Sequence, residues 1–372
     1  MRVKLEDVCE RGTSSLMQKD IVDKNGKYPV YGASGRIGSM ETYQQEHQTV
    51  AVVKDGAGIG RTMLLPEKSS IIGTMQYLIP KNCIEPEYLY YAVKYMHLEK
   101  YFSGATIPHI YFRDYKTEEF NLHNKTEQQE IISTLKRVEA VISNRREQLA
   151  MLDELVKARF VEMFGDPISN PFGFKVKTLQ KMIDDGTIMY HLDGNHGSDY
   201  PRNEEFVECG VPYISANCIV HNDVNLKLAK HLTEERASKL RKGIAQNGDV
   251  LFAHNATVGP VAILYTDDEK VILGTSLTAY RCDKERMVPD YLKAYMQSEG
   301  FVCQYTKDMK QTTRNQVPIT AQRKFLFVIP PLSLQNQFAA FAAEVDKSKA
   351  DVQKALDQTQ LLFDSLMQQY FG

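Results

Sequence analysis

The chain has 372 residues, of which 43% are hydrophobic and 25% are charged. These are ordinary globular values, and they exclude a disordered, collagen-like or low-complexity chain. The length exceeds that of one typical domain, so two or more hydrophobic cores are expected. The 45 Lys and Arg residues nearly balance the 47 Asp and Glu residues. A nucleic-acid role would therefore depend on local patches rather than on overall charge.

The chain has no sequence features of export or membrane insertion. Its apolar runs are shorter than the ~18–20 residues needed to cross a bilayer, and residues 1–7 (MRVKLED) carry acids where a secretion signal needs an apolar stretch. The six cysteines are scattered without a C-x-x-C pair, which argues against a disulfide framework or a zinc cluster. We therefore expect a reduced, cytoplasmic protein.

The most informative feature is an internal repeat with a period of about two hundred residues. Residues 54–60 (KDGAGIG) align with residues 253–259 (AHNATVG), and each segment follows an apolar pair. Further matches occur in the same order: 72–74 with 273–275, 86–89 with 289–292, 127–130 with 334–337, and 164–165 with 371–372. The order and the period indicate a duplicated unit.

Each unit ends in a segment with helical periodicity. Apolar residues recur at alternating spacings of four and three, which is typical of a coiled-coil seam. A helix of about 36 residues would be roughly 54 Å long. An alternative is that each helix packs separately on its own domain. The predicted seam consists of Ile131, Leu135, Val138, Ile142, Leu149, Leu152 and Val156, and of Phe338, Val345, Val352, Leu356, Phe363 and Leu366.

The remaining segments combine short apolar runs with turn signals, and helices are expected over residues 88–102 and 290–305. The predicted fold class is therefore α+β. Two globular domains, residues 1–125 and 166–333, are each followed by a long helix, residues 126–165 and 334–372. The two helices can bury their seams against each other as a coiled coil.

The sequence contains no pattern that indicates catalysis. Residues 55–60 (DGAGIG) resemble a nucleotide-binding loop, but residues 61–66 predict a strand rather than the helix such a loop needs. Pro289-Asp290 suits a helix start, as does Pro86-Glu87. His191 and His196 lack a third metal ligand, so no metal site is expected. P-loop, H-E-x-x-H and G-x-S-x-G patterns are absent from the sequence.

Polar loop residues in equivalent places of both units are candidates for DNA contact. Specific readers need cations for phosphates, together with Asn, Gln, Arg, Ser or Thr at base edges. The first unit offers Ser34, Arg36, Lys54, Arg61, Thr106, His109 and Arg113. The second unit offers Ser215, Asn217, His254, Asn255, Thr257, Lys310, Thr312, Thr313, Arg314, Asn315 and Gln316.

Tandem globular units, each followed by a long helix, resemble the specificity (S) subunits of type I restriction-modification systems. The resemblance covers essentially the whole chain. One difference is that the first unit has residues 123–126 (HNKT) where the second has a proline pair before its helix. The strings that carry the resemblance are 28–38 (YPVYGASGRIG), 210–215 (GVPYIS), 329–335 (IPPLSLQ), 163–167 (MFGDP) and 170–174 (NPFGF).

This resemblance implies two target-recognition domains, each reading one half of a bipartite site in double-stranded DNA. It also implies that the two helices pair as an antiparallel coiled coil with pseudo-twofold symmetry. Two DNA-adenine methylation (M) subunits are expected to dock on these helices, and restriction (R) subunits can join them. The S subunit itself performs no chemistry. S-adenosylmethionine, ATP and Mg are expected on the partner subunits, with no cofactor in this chain.

The two domains differ in sequence, so we expect an asymmetric target. Inserting or deleting residues within the stretch 148–155 should change the gap between the half-sites but not their bases. Two alternatives remain open from the sequence. One is a self-sufficient restriction-modification enzyme or nuclease, and the other is a helical interaction scaffold that does not bind DNA.

Overall fold

A computed structural model describes residues 1–21, 26–104, 108–309 and 315–372. The chain divides into two compact units, the first made of Met1–Glu147 with Val352–Gly372 and the second of Gln148–Asp351. Two long helices, Lys125–Phe164 and Leu332–Phe371, contribute a part to each unit. The compact units therefore cut across the four predicted segments, because a unit combines a globular part with portions of both helices.

In the first unit, the central strands form an antiparallel four-stranded sheet in the order β2-β8-β5-β6. Strand β5 is buried along its whole length, as its continuous apolar run predicts. A second sheet has the order β4-β3-β7, and β1 pairs with β9. The strands are β1 (Arg2–Lys4), β2 (Cys9–Thr13), β3 (Tyr28–Gly32), β4 (Gly35–Met40), β5 (Thr49–Val53), β6 (Thr62–Leu65), β7 (Ser70–Ile71), β8 (Met75–Pro80) and β9 (Glu119–Asn121). The helices are α1 (Leu5–Val8), α2 (Pro86–Tyr95), α3 (Phe112–Tyr115) and the start of α4 (Lys125–Phe164).

The second unit has an equivalent four-stranded sheet, in the order β11-β21-β18-β19, and a larger five-stranded sheet, β12-β16-β13-β20-β17. Four of the five strands of this larger sheet lie before residue 251. The strands are β10 (Lys175–Thr178), β11 (Ile188–Asp193), β12 (Phe206–Val207), β13 (Val211–Ile214), β14 (Ile219–Val220), β15 (Asp223–Val224), β16 (Lys230–Leu232), β17 (Ile244–Ala245), β18 (Val250–Asn255), β19 (Thr257–Ile263), β20 (Val271–Leu273), β21 (Leu277–Cys282) and β22 (Leu326–Ile329). The helices are α5 (Leu179–Asp184), α6 (Glu234–Ser238), α7 (Pro289–Gln297), α8 (Glu299–Met309), α9 (Ile319–Gln322) and the start of α10 (Leu332–Phe371).

The predicted single helices over residues 88–102 and 290–305 are each interrupted. Helix α2 ends at Tyr95, and His97 has a left-handed backbone (φ 52°) before a short 3-10 turn. Helix α7 ends at Gln297, where Ser298 is extended and its hydroxyl accepts a hydrogen bond from the Phe301 N–H (3.3 Å). A serine in this position caps a new helix rather than continuing the old one. The expectation of one helix was therefore wrong at both places.

The first unit shows the two long helices running in opposite directions. Arg145 of α4 donates hydrogen bonds to the Thr359 hydroxyl (2.6 Å) and to the Ala355 carbonyl of α10. The Tyr88 hydroxyl of α2 lies 2.7 Å from Nδ1 of His123, just before α4, and the Tyr88 ring packs 5.0 Å from that of Phe371, at the end of α10. Because residue numbers fall along α10 as they rise along α4, the pairing is antiparallel.

The second unit shows the same antiparallel pairing with the other portions of the helices. The Lys349 ammonium of α10 lies 2.5 Å from the Asp153 carboxylate of α4. Further along, the rings of Phe164 and Phe338 are 5.6 Å apart. The α+β fold class with antiparallel long helices is confirmed by these contacts.

The burial of residues along both long helices follows the four-three spacing of the sequence. Every predicted seam residue is buried or half-buried, and most residues between them are exposed. The buried members are Ile131, Leu135, Ile142, Phe338, Val345, Leu356 and Phe363, and the half-buried members are Val138, Leu149, Leu152, Val156, Val352 and Leu366.

Each long helix is tied to its preceding domain by a buried glutamine near its start. The Gln128 amide accepts a hydrogen bond from the Glu85 N–H (2.8 Å) and donates to the His123 carbonyl (2.8 Å). The Gln335 amide accepts from the Val288 N–H (2.9 Å) and donates to the carbonyl of Pro330 (2.9 Å). Both glutamines are fully buried. The first unit thus makes the same connection without the proline pair.

Replacing Gln335 with alanine should lower the free energy of unfolding by about 1–3 kcal/mol, because the buried Val288 N–H loses its acceptor. Chemical denaturation followed by circular dichroism measures this change. The neighbouring exposed Gln337→Ala is the matched control and should change stability little. Equal effects of the two substitutions would contradict the anchoring role.

Three general features concern the described residues as a whole. Within these ranges, no helix has both the length and the apolar character needed to span a membrane. No cluster of three or more His, Cys, Asp or Glu side chains in them has the arrangement of a metal site. The cysteines are all free thiols.

Candidate nucleic-acid interface

In the first unit, two loops far apart in sequence are joined by backbone and side-chain hydrogen bonds. The loop after β5 meets the segment before α3, where the Gly56 N–H donates to the Pro108 carbonyl (2.9 Å) and the Ile110 N–H donates to the Lys54 carbonyl (2.9 Å). The His109 Nδ1 lies 2.8 Å from the Asp55 carboxylate. We call this arrangement the first loop pair, residues 54–60 with 108–111.

Asp55 is the centre of a small charged group in the first loop pair. Its carboxylate contacts both the Lys54 ammonium and the His109 imidazole. The side chains of Lys54, Asp55 and His109 are 28%, 25% and 36% exposed, so each keeps an accessible edge. An ionised carboxylate only accepts hydrogen bonds, so Nδ1 of His109 carries a proton and Nε2 is left for another partner.

A row of aromatic and cationic side chains extends from this group. The Tyr111 ring stacks on His109 with ring centres 6.2 Å apart, and the Arg113 guanidinium lies 4.8 Å from the Tyr111 ring centre. Tyr111 and Arg113 are both exposed. Guanidinium groups and aromatic rings in such a row can contact phosphates and bases.

The second unit contains a matching arrangement. The Ala256 N–H donates to the Asn315 carbonyl (3.0 Å), and the Val317 N–H donates to the carbonyl of His254 (2.8 Å). Asn255 and Gln316 form a backbone bridge, as Asp55 and His109 do in the first unit. We call residues 254–258 with 315–317 the second loop pair.

Comparing these hydrogen bonds aligns the two loop pairs residue by residue. Lys54 corresponds to His254, Asp55 to Asn255 and His109 to Gln316. The internal repeat in the sequence aligns Lys54 with residue 253. In this loop the sequence alignment is therefore one residue away from the structural alignment. The reason is local: after β18 the chain turns back at once into β19, whereas β5 and β6 are separated by the longer glycine loop.

The other predicted residues of the first unit adjoin its loop pair. Arg61 donates to the Ala33 carbonyl (2.8 Å), which joins the β5–β6 loop to the β3–β4 turn. Ser34 and Arg36 are exposed in or beside that turn. Thr106 lies outside the described residues. The loops that carry Ser34, Lys54, Arg61 and His109 therefore adjoin one another, while Arg36 lies in β4 and Arg113 in α3.

In the second unit, Ser276 connects the corresponding loops. Its hydroxyl accepts from the Ala216 N–H (2.9 Å) and its carbonyl accepts from the His254 N–H (2.9 Å). This places the loop with Ser215 and Asn217 beside the second loop pair. Asn217, Thr257 and Asn315 are exposed, and Ser215, Asn255 and Gln316 are half-buried. Lys310, Thr312, Thr313 and Arg314 lie outside the described residues.

His254 differs from the other candidates because it is 1% exposed. Its side chain is therefore inaccessible to DNA in this structure, and only its backbone takes part in the loop pair. Burial lowers the pKa of His254 below its ordinary value, because the charged imidazolium would lose its hydration. The prediction that its side chain contacts DNA is not supported by this placement.

A buried polar network lies under the second loop pair. The Gln322 amide donates to the Val317 carbonyl (3.0 Å) and its carbonyl oxygen accepts from the Tyr280 hydroxyl (2.7 Å). The same oxygen lies 3.2 Å from His191 Nε2. Burial lowers the pKa of His191 to about 4. These contacts connect the loop-pair backbone to the core of the second unit.

We expect His191 to make the second unit acid-sensitive. Its pKa is lower in the folded than in the unfolded chain, so its protonation destabilises the fold as the pH falls from about 6.5 towards 4. The loss should be roughly 3 kcal/mol across that range. His191→Gln should reduce this loss, as measured by denaturation at several pH values. The exposed His221→Gln is the control; an unchanged pH profile for His191→Gln would contradict the assignment.

Sequence reasoning missed Asp55 and Tyr111. Asp55 belongs to the glycine-rich stretch 55–60, and its partner His109 is 54 residues away in the chain. An acid directly after Lys54, in a loop otherwise made of glycine and apolar residues, was the available signal. Tyr111 lies between the predicted residues His109 and Arg113, but only the stacking of its ring on His109 identifies it.

The structure shows two units with equivalent four-stranded sheets and equivalent loop pairs, together with paired long helices. Residues 1–152 match the family model described as type I restriction modification DNA specificity domain. The chain is also 27% identical over 154 residues to the type I restriction enzyme MjaIX specificity subunit of Methanocaldococcus jannaschii. That match covers 38% of this chain and only 36% of the curated relative.

Solved structures extend the likeness in fold to the whole chain. The type I restriction-modification system S subunit from M. genitalium has a TM-score of 0.59 and 16% sequence identity, and the match covers 100% of this chain and 96% of that one. A chain from a structure of complex assembly and conformational transition in a type I R-M system has a TM-score of 0.56, with 16% identity and coverage of 100% and 97%. The resemblance to type I specificity subunits is thus confirmed.

Proposed function

We propose that this chain is the sequence-specific DNA-recognition subunit of a type I restriction-modification complex that acts in the cytoplasm. Each domain reads one half of a bipartite, asymmetric site in double-stranded DNA. The paired helices dock two adenine-methylation subunits, and restriction subunits can join them. The chain is not itself an enzyme, and S-adenosylmethionine, ATP and Mg act on the partner subunits.

The observation that carries this proposal is the repeated loop pair. The same backbone bridge holds Asp55 with His109 in one unit and Asn255 with Gln316 in the other. A backbone arrangement that both units share, but with different polar side chains, suits two domains that read different bases. Base edges are distinguished by their hydrogen-bond donors and acceptors. An asymmetric target follows from this difference.

The chain co-purified with its methylation partners tests the proposal by DNA binding. We expect tight binding to one bipartite duplex and much weaker binding to a duplex with one half-site scrambled. Equal binding to both duplexes would favour a scaffold without sequence recognition. The isolated chain should leave DNA unchanged with magnesium or S-adenosylmethionine, and turnover by it would favour a self-sufficient enzyme.

A further inference from the structure

We propose that the loop pairs read one base pair at equivalent positions of the two half-sites, with G·C read by the first unit and A·T by the second. This inference rests on the proposed function. It assigns base reading to Lys54 and His109 in the first unit and to Asn255 and Gln316 in the second. Asp55 is a positioning residue, because it acts through the two side chains it holds.

The chemistry of the first loop pair matches a G·C pair in the major groove. Lys54 keeps N–H groups beyond its contact with Asp55, and these suit the O6 and N7 acceptors of guanine. Nδ1 of His109 faces Asp55, so Nε2 is the ring atom left for the paired base. In the tautomer with the proton on Nδ1, Nε2 is an acceptor that suits the N4 amino group of the cytosine.

The second loop pair presents different chemistry from the same backbone positions. Asn255 replaces the carboxylate, Gln316 replaces the imidazole, and the residue equivalent to Lys54 is the buried His254. Carboxamides carry both a donor and an acceptor, which match the N6 and N7 atoms of adenine. The half-buried Asn255 and Gln316 therefore favour an A·T pair.

Because the two loop pairs have the same backbone bridge, their polar side chains can be exchanged between the units. The double variant Asp55→Asn with His109→Gln gives the first unit the carboxamides of the second. The reverse double variant is Asn255→Asp with Gln316→His. Lys54→Gln is a further single variant, which replaces the half-buried ammonium that contacts Asp55 by a neutral amide. Thermal unfolding of each purified complex establishes that the variants are folded.

The test first maps the methylated motif of the wild-type complex and then measures binding to duplexes with each base pair replaced in turn. The first double variant should lose about 5- to 150-fold of its discrimination at a single G·C pair in one half-site. The reverse variant should do so at an A·T pair in the other half-site, and Lys54→Gln should affect the same G·C pair as the first.

Two other results have separate meanings. Folded variants that bind every duplex more weakly, with an unchanged order of preference, would overturn base reading and assign these residues to phosphate contact. That result would leave the recognition function intact. A wild-type complex without any bipartite motif would instead overturn the proposed function, and this inference with it.

Discussion

Replacing Phe371 with alanine should lower the free energy of unfolding by about 3–5 kcal/mol, and it should loosen the first unit although residue 371 is near the end of the sequence. Phe371 is fully buried, and its ring packs 5.0 Å from Tyr88 and 6.2 Å from Tyr95 of α2. Removing a large buried aromatic ring costs this much because apolar burial is lost and a cavity remains.

The repeat supplies a matched variant in the second unit. Phe164 is also buried, and its ring lies 4.8 Å from that of Tyr291 in α7. Hydrogen exchange by mass spectrometry should show faster exchange in α2 for Phe371→Ala and in α7 for Phe164→Ala. Leu361→Ala is the control, because Leu361 is 70% exposed. Loosening of the second unit by Phe371→Ala would contradict the observed packing.

Lengthening both long helices by seven residues should widen the gap between the two half-sites without changing their bases. Helices α4 and α10 each contribute residues to both units, and seven residues preserve the four-three spacing of the seam. At 1.5 Å per residue the insertion adds roughly 10.5 Å, or about three base pairs of DNA. The insertions would follow residue 148 in α4 and residue 351 in α10.

Methylation mapping of a strain carrying the lengthened chain measures the new gap. Insertion of the same seven residues in α4 alone is the control, since it leaves α10 unmatched and should reduce methylation rather than produce a defined wider gap. Altered half-site bases with an unchanged gap would contradict a spacing role for the helices. A glycine-free, alanine-rich insert maintains the helix through the added turns.

The long helices were predictable because their information is local. The four-three spacing from Ile131 and from Phe338 identifies the side of each helix that is buried. The spacing does not indicate which residues of the domains pack against the end of each helix. The sequence predicts that the helices pair, but it does not predict that Phe164 packs on Tyr291 or that Phe371 packs on Tyr88. Such contacts depend on the tertiary fold.

The candidate interface was predictable in outline but not in its pairings. Polar loops in equivalent places were evident, and the structure joins them in both units. The contact between Asp55 and His109 spans 54 residues, so no local pattern signals it. The burial of His254 depends on how β18 packs in its sheet. The two turns differ in length, and for this reason the sequence alignment pairs Lys54 with residue 253 instead of His254.

The most direct test of the central claim is a genome-wide map of methylated adenines in strains with and without this chain. Sequence-specific recognition by two unlike domains predicts one asymmetric bipartite motif that is methylated only when the chain is present. Restoring the chain from a plasmid should restore that motif. Persistence of the same methylation without the chain would contradict the account.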